Sequence, residues 1–296
     1  MYGLGRMGIT HLSHTQGYML SKGLNCKFDI IDPSLKTMRF RPIRKNINII
    51  GRSSIHDITD YDYAFITSPP NRHNENLREA IKVSKKIFIE KPAVIAVETK
   101  QQITENFPDR KIYVGYVLRK NLCVQKLKDL CNQLDDYEIH IDLQSNIGLN
   151  EVSGWRSKLS SGGGCFNEFG SHVINLFQYL SVKTIGAVNP IVMEDSRFDI
   201  DTGQGRLTGN WCSDVRKSMY HVRIVSKDTT YYSDLQYIES ENGYYFNPRQ
   251  LTSVLPYYMR GLDFALQSKD FLEGSIDEND FYDALTTDTL MAKVLG

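Results

Sequence analysis

Gly3-Leu4-Gly5-Arg6-Met7-Gly8 leads into a helical stretch from Ile9 to Ser21, and then into Cys26-Lys27-Phe28-Asp29-Ile30-Ile31-Asp32. The reading of this run decides the fold of the first half. In a strand–turn–helix unit the glycines have separate jobs. Gly3 permits the tight turn, Gly5 lets backbone approach a pyrophosphate, and Gly8 lets the helix pack closely on the sheet. The free N–H groups of the first helical turn face the phosphates, with Leu4, Arg6 and Met7 completing that turn. Asp32 ends the next strand. A carboxylate there accepts both hydroxyls of an adenosine ribose and repels a 2′-phosphate, which favours NAD over NADP. An incidental turn followed by a solvated Asp32 is the competing reading. Only Met1 and Tyr2 precede Gly3. The first strand, central in such a sheet, is therefore expected to be truncated, with residues missing upstream.

Downstream the alternation of short apolar runs and helices continues. Tyr63–Thr67 is a strand of the buried kind, halted by Ser68-Pro69-Pro70, and a polar helix follows from Asn74 to Ser84. Lys86–Ile89 is the next strand, Ala96–Asn106 a helix, and Lys111–Tyr116 a last strand. Such a series specifies a parallel sheet covered on both faces. The first half is thus α/β, a Rossmann-type sheet over residues 1–118. On its first helix, His11 and His14 are expected to be exposed.

From Asp136 the period changes. Ile139, Ile141 and Leu143 alternate with His140, Asp142 and Gln144, and Tyr220, Val222 and Ile224 with His221, Arg223 and Val225. This is the pattern of a sheet with one wet face. Gly205–Cys212 and Thr229–Ile238 add two strands, and Pro256–Glu273 and Phe281–Leu295 two helices. Residues 119–296 therefore read as an α+β domain built on a large open, mostly antiparallel sheet. Its open face is expected to be mostly apolar and covered by another subunit, giving a homodimer or tetramer. Between these strands lies Gly162-Gly163-Gly164-Cys165-Phe166-Asn167-Glu168-Phe169-Gly170-Ser171-His172. A glycine loop here enters a helix on which Glu168 and His172, four apart, share a face. A carboxylate that orients an imidazole is a general-base arrangement, although the same spacing also describes an ordinary surface pair.

Composition narrows the class. Lysine plus arginine and aspartate plus glutamate both number 35 in 296 residues, so there is no basic excess for a nucleic-acid or anionic-membrane partner. No apolar run spans a bilayer and the start lacks a signal-peptide pattern, so a cytoplasmic protein is expected. Five scattered cysteines without a C-x-x-C pair give no metal cluster or disulfide framework and read as reduced thiols.

Taken in order, the motifs resemble the glucose-fructose oxidoreductase, inositol dehydrogenase and MocA family. They are Gly3–Gly8, the strand end at Asp32, Thr67-Ser68-Pro69-Pro70-Asn71-Arg72-His73, Glu90-Lys91-Pro92, Val114-Gly115-Tyr116 and Gly162–His172. The resemblance implies an NAD-dependent oxidoreductase acting on a sugar or polyol. It places Thr67, Ser68, Pro69, His73, Glu90 and Lys91 beside the cofactor, with a solvated helix start as the alternative for His73. Lys91 would lie beside the nicotinamide and the reacting carbon, and His172 would face it from the second domain. In the implied hydride transfer His172 takes the hydroxyl proton, and the Lys91 ammonium holds the same oxygen. Glu168, where many relatives carry aspartate, would orient His172. Asn175 stands where an aspartate is common and is expected to alter substrate contacts. Trp155 and Arg156 would line the sugar pocket or pack structurally. Asn210–Ser213, Arg216-Lys217 and Tyr258–Phe264 resemble a branch acting on nucleotide-linked or free sugars in surface-polysaccharide synthesis. Two other functions are compatible with the scaffold: redox-neutral chemistry with recycled NAD, such as a glycosidase or epimerase, and a non-catalytic nucleotide sensor.

Overall fold

A computed structural model of the chain describes residues 1–32, 47–49, 61–145, 164–181, 188–211, 219–248, 259–275 and 279–295. They divide into two compact units, Met1–Tyr116 with Phe264–Asp288, and Val117–Asp263 with Thr289–Gly296.

The first unit is a parallel sheet. Strand β1 (Phe28–Ile30) pairs with β2 (Ile47–Ile49), and β3 (Ala64–Ile66) with β4 (Lys86–Ile89) and then β5 (Lys111–Val114). Met1–Gly3 stitch the two groups together. Tyr2 bridges Ile31 on one side and Ile66 on the other, both parallel. Its amide donates to Phe65 O at 2.8 Å, and its carbonyl accepts from Thr67 N–H at 2.9 Å. The central strand expected to be short is represented here by a single bridged residue, with Tyr2 bonding the β3 side and Met1 O and Gly3 N–H bonding Ile31 on the other.

Side-chain parity explains the two faces. Ala64, Ile66, Ile87, Ile89, Ile112 and Val114 pack in one cluster with Leu77, Ala80 and Ile81 of helix α2 (His73–Val83), Ile103 of α3 (Val97–Asn106), and Phe281, Ala284 and Leu285 of the last helix (Asn279–Leu295). The alternate residues Phe65, Phe88 and Tyr113 stand in register across β3–β5. They meet Tyr18 and Met19 of helix α1 (Arg6–Ser21) and Phe271 and Leu272 of the helix Met259–Glu273. Both faces are thus covered, as the continuous apolar strands require.

The second unit is an eight-stranded sheet. Helix α4 (Leu122–Cys131) leads to β6 (Tyr137–Ser145), and helix α5 (Gly164–Leu180) to β7 (Asn189–Met193), β8 (Arg197–Asp201), β9 (Arg206–Trp211) and β10 (Met219–Ser226). Then follow β11 (Thr230–Ser233), β12 (Ile238–Ser240) and β13 (Tyr245–Phe246). The order is β13-β12-β11-β10-β6-β9-β8-β7, with only the β6–β9 pair parallel. The run expected as one strand from Thr229 to Ile238 is two strands with a turn between them. Ser233 Oγ accepts the Leu235 amide there, and Leu235 adopts a positive φ of 65°.

Ile139, Ile141, Leu143, Phe198, Ile200, Leu207, Val222 and Ile224 form the inner face against α5. The outer face corrects an expectation. It is charged rather than mostly apolar: His140, Asp142, Arg206, Thr208, His221, Arg223, Tyr232 and Glu239 line a cavity of about 530 Å³. In β6, β8, β9 and β10 the polar half of the alternation points outward, and Arg206 pairs with Asp199 across β8 and β9. No helix among the described residues is long and apolar enough to cross a membrane.

Candidate active site

In the first unit the glycine turn is built by backbone proximity. Gly3 has φ +89°, and a Cβ on it would stand 3.0 Å from the backbone of Thr67 and Ser68. A Cβ on Gly8 would stand 2.5 Å from Gly3 O and 3.0 Å from Thr67 Oγ1, so α1 begins in direct contact with the turn. Gly5 caps α1 without a side-chain hydrogen bond, and no acidic residue sits in the first helical turn. Among the described residues, no heavy atom beyond its chain neighbours lies within 4 Å of where its Cβ would be. The helix therefore offers unsatisfied N–H groups beside open space, which suits a dianionic pyrophosphate. Arg6 is exposed and Met7 half-buried at this opening.

Asp32 is tied into the turn: its Oδ2 accepts the Leu4 amide at 2.7 Å. Thr67 Oγ1 donates to Gly3 O at 2.7 Å, closing the opposite side. Ser68 is half-buried and accepts from Asn76 Nδ2 on its hydroxyl, and Pro69 is exposed. These residues fit a bound dinucleotide. The cradle is glycine where backbone must come close, and one carboxylate stands at the end of the neighbouring strand.

Glu90 continues the strand register of β4, its amide donating to Ile66 O at 2.9 Å. By parity its side chain follows Phe88 onto the α1 face and is 7% exposed. There it meets His11, which is fully buried, with Nε2 2.7 Å from Glu90 Oε1. The expectation that His11 is exposed is thereby overturned. Gly8, His11, Leu12 and Thr15 form the buried stripe of α1 at helical spacing, a signal already present in the sequence. Lys91 follows, half-buried, with a cis bond to Pro92. His73 is buried at the start of α2, with Nδ1 2.8 Å from Pro92 O and Nε2 2.8 Å from Ser68 O. Burial holds its pKa below the ordinary value, against the pull of these carbonyls.

In the second unit α5 carries Glu168, exposed, and His172, half-buried, one turn apart. The helix is seated by aromatic packing. Phe166 meets Phe198 edge-on at 5.3 Å, and Gly170 leaves room for the Phe166 ring, which a Cβ would approach to 2.6 Å. Asn175 is buried, its Oδ1 accepting from Arg119 Nε at 2.8 Å, so its described contact is with the protein's own guanidinium. Burial, with Glu168 adding to it, pushes the Cys165 thiol up to about 12, and burial does the same for Cys131. Both are inert thiols. Trp155, Arg156, Gly162, Gly163, Cys212, Ser213, Arg216, Lys217 and Tyr258 lie outside the described residues.

Residues 1–116 match the family model for the GFO_IDH_MocA oxidoreductases, described as an oxidoreductase family with an NAD-binding Rossmann fold. Over these residues the chain is similar to the Gfo/Idh/MocA family. No curated protein sequence matches the chain. The solved structures that share its fold include the following three. Levoglucosan dehydrogenase in complex with NADH and levoglucosan is 18% identical, with a TM-score of 0.74 covering 99% of this chain and 95% of that one. Apo scyllo-inositol dehydrogenase from Lactobacillus casei is 18% identical, TM-score 0.71, over 98% and 93%. The WlbA dehydrogenase from Thermus thermophilus, in complex with NAD and UDP-GlcNAcA, is 14% identical, TM-score 0.70, over 100% and 93%. At these identities the likeness to the Gfo/Idh/MocA structures is one of fold.

Proposed function

We propose that the chain is an NAD-dependent oxidoreductase that moves a hydride between nicotinamide and a hydroxyl or ketone carbon of a sugar, polyol or nucleotide-linked sugar. The observation that carries this reading is the glycine turn. Its Gly3–Gly8 contact, uncapped α1 and Asp32–Leu4 bond form a cradle for a dinucleotide in the family-matched part of the chain. Residues 1–118 are the dinucleotide half, with Gly3, Leu4, Gly5, Arg6, Met7, Asp32, Thr67, Ser68, Pro69, His73, Glu90 and Lys91 around the cofactor. Residues 119–296 are the half for substrate and self-association, with Trp155 and Arg156 toward the sugar. The bound dinucleotide supplies the hydride acceptor or donor.

His172 takes the substrate hydroxyl proton during oxidation, and Glu168 orients its ring. The Lys91 ammonium holds the substrate oxygen as negative charge develops there. NAD is favoured over NADP because the Asp32 carboxylate repels a 2′-phosphate. Self-association through the outer face of the β6–β13 sheet would run on its mixed charges, as those lining residues carry both signs.

The test is a fluorescence titration of the chain with NADH and NADPH, followed by a panel of free sugars, polyols and UDP-linked sugars with NAD. Tight NADH binding and lasting NADH formation with one of them supports the reading. Binding with turnover but no accumulated NADH indicates recycling chemistry instead. Absence of NADH binding overturns the reading.

A further inference from the structure

We propose that Lys91 is held by a two-histidine clamp, with His11 acting through Glu90 on its amide and His73 acting on the carbonyl of the next residue. The proposal rests on the reading of Lys91 as the residue that holds the substrate oxygen, and it adds two positioning residues to it.

The first arm begins with His11. Its ring sits among Phe88, Phe65 and Phe264 at centroid distances of 4.4, 6.1 and 6.1 Å. Its Nδ1 is buried and has no hydrogen-bond partner among the described residues. An apolar residue would fill this aromatic cage without leaving a buried nitrogen unsatisfied, which is costly. Packing alone therefore does not explain the histidine. Its one polar contact does: Nε2 donates to Glu90 Oε1 at 2.7 Å, and Glu90 Oε2 in turn accepts the Lys91 amide at 3.2 Å. The carboxylate bridges α1, the helix entered by the glycine turn, to the backbone of Lys91. Gly115 leaves space for this bridge, since a Cβ there would stand 2.8 Å from Phe88 and 3.4 Å from Glu90 Oε1.

The second arm is His73. Its ring lies between Pro92 O and Ser68 O, 2.8 Å from each, and each ring nitrogen that carries a proton donates to the carbonyl it faces. It joins the loop after β4 to the loop after β3. Both nitrogens face backbone carbonyls and the residue is 1% exposed, so its part beside the cofactor is to place backbone. One histidine thus acts on the Glu90–Lys91 peptide and the other on the Pro92–Ala93 peptide, one residue beyond Lys91. A catalytic group must be held within about half an ångström of its working position to be effective.

The test uses full-length protein with its lysines 13C-dimethylated, and the Lys91 resonance assigned by its loss in Lys91→Arg. In the wild type we expect a resonance apart from that of free dimethyl-lysine that shifts on adding NADH. In His11→Leu and His73→Leu it should move toward the free-lysine position, and its NADH shift should fall by at least about threefold. The remaining lysine signals should stay in place. His11→Gln, whose amide can still donate to Glu90, should restore both features, which a general loss of stability would not do. Should a leucine variant fail to fold, the isosteric Glu90→Gln replaces it, because a neutral amide cannot accept on both sides. The clamp is overturned if the Lys91 resonance and its NADH response are the same in the wild type and in these variants. No NADH response in the wild type would instead overturn the nucleotide reading, with the clamp then judged on the free-protein resonances.

Discussion

Gly8 in the first unit and Gly170 and Gly209 in the second are required for different reasons. In the first, Gly8 is needed because another stretch of backbone, Gly3 O, occupies the space a Cβ would take. In the second, Gly170 and Gly209 are needed because rings occupy it, those of Phe166 and Phe198 respectively. A ring can tilt and a helix can slide, so the second kind of demand is soft. The first is rigid, because the carbonyl belongs to the turn whose shape makes the ligand cradle. Between Gly8 and the pair Gly170 and Gly209, the difference separates a glycine that shapes the cradle from glycines that serve packing.

Gly8→Ala is the strongest attempt to break this distinction. The methyl group must push α1 off Gly3 and Thr67, and we expect NADH affinity to drop by roughly 100-fold or more. Gly209→Ala should overpack the Phe198 site at a cost of about 1–3 kcal/mol, lowering Tm by several degrees. It should leave NADH affinity within about twofold. Titration and thermal melts of the two variants side by side check both halves. Equal losses of NADH binding would abolish the distinction.

That difference also explains what could be read from the sequence. A backbone-defined turn admits few residue types, so Gly3, Gly8 and Asp32 were legible, and strand parity made both sheets legible. β2, β7, β8 and β13 were missed because these strands are short or interrupted by polar residues and proline. The character of the outer sheet face was misjudged although its residues were named: His140, Asp142, His221 and Arg223 are the polar half of the alternation and hence the outward half. His11 was misplaced because a histidine reads as polar until it is counted from Gly8 along the buried stripe of α1. The substrate contacts depend on side-chain identity in segments such as Trp155-Arg156, where no periodicity constrains the residue.

Asp32 sharpens the comparison inside the first unit, because it serves both turn and ligand. Asp32→Asn retains an oxygen for the Leu4 amide but loses the charge, so NAD binding should persist while its advantage over NADP narrows by about tenfold. Asp32→Ala loses both and should weaken the two nucleotides together as well. Paired NADH and NADPH titrations of the two variants separate these roles. Identical behaviour of the Asn and Ala variants would mean that the carboxylate does not brace the turn.

The smallest expected effect concerns a polar group holding the loop beyond Lys91. Asp288 Oδ2 accepts the Val94 amide at 2.7 Å, and Val94 itself has a positive φ of 50°. Burial raises the Asp288 pKa to about 6, against the opposing pull of the amides of Val94, Ile95 and Ala93. The folded protein therefore keeps this proton where the unfolded chain, with an ordinary carboxyl near 4, has lost it. Its contribution to stability is fully present below pH 4 and is lost as pH rises to about 6. Asp288→Asn keeps an acceptor for Val94 without a buried charge. It should raise Tm by a few degrees at neutral pH and flatten that part of the pH dependence. Thermal melts from pH 4 to 8 measure both. A Tm that falls in the variant at neutral pH would mean that the ionised carboxylate is worth more to the three amides than it costs to bury, and that this loop, like the glycine turn, depends on a charge fixed within the backbone.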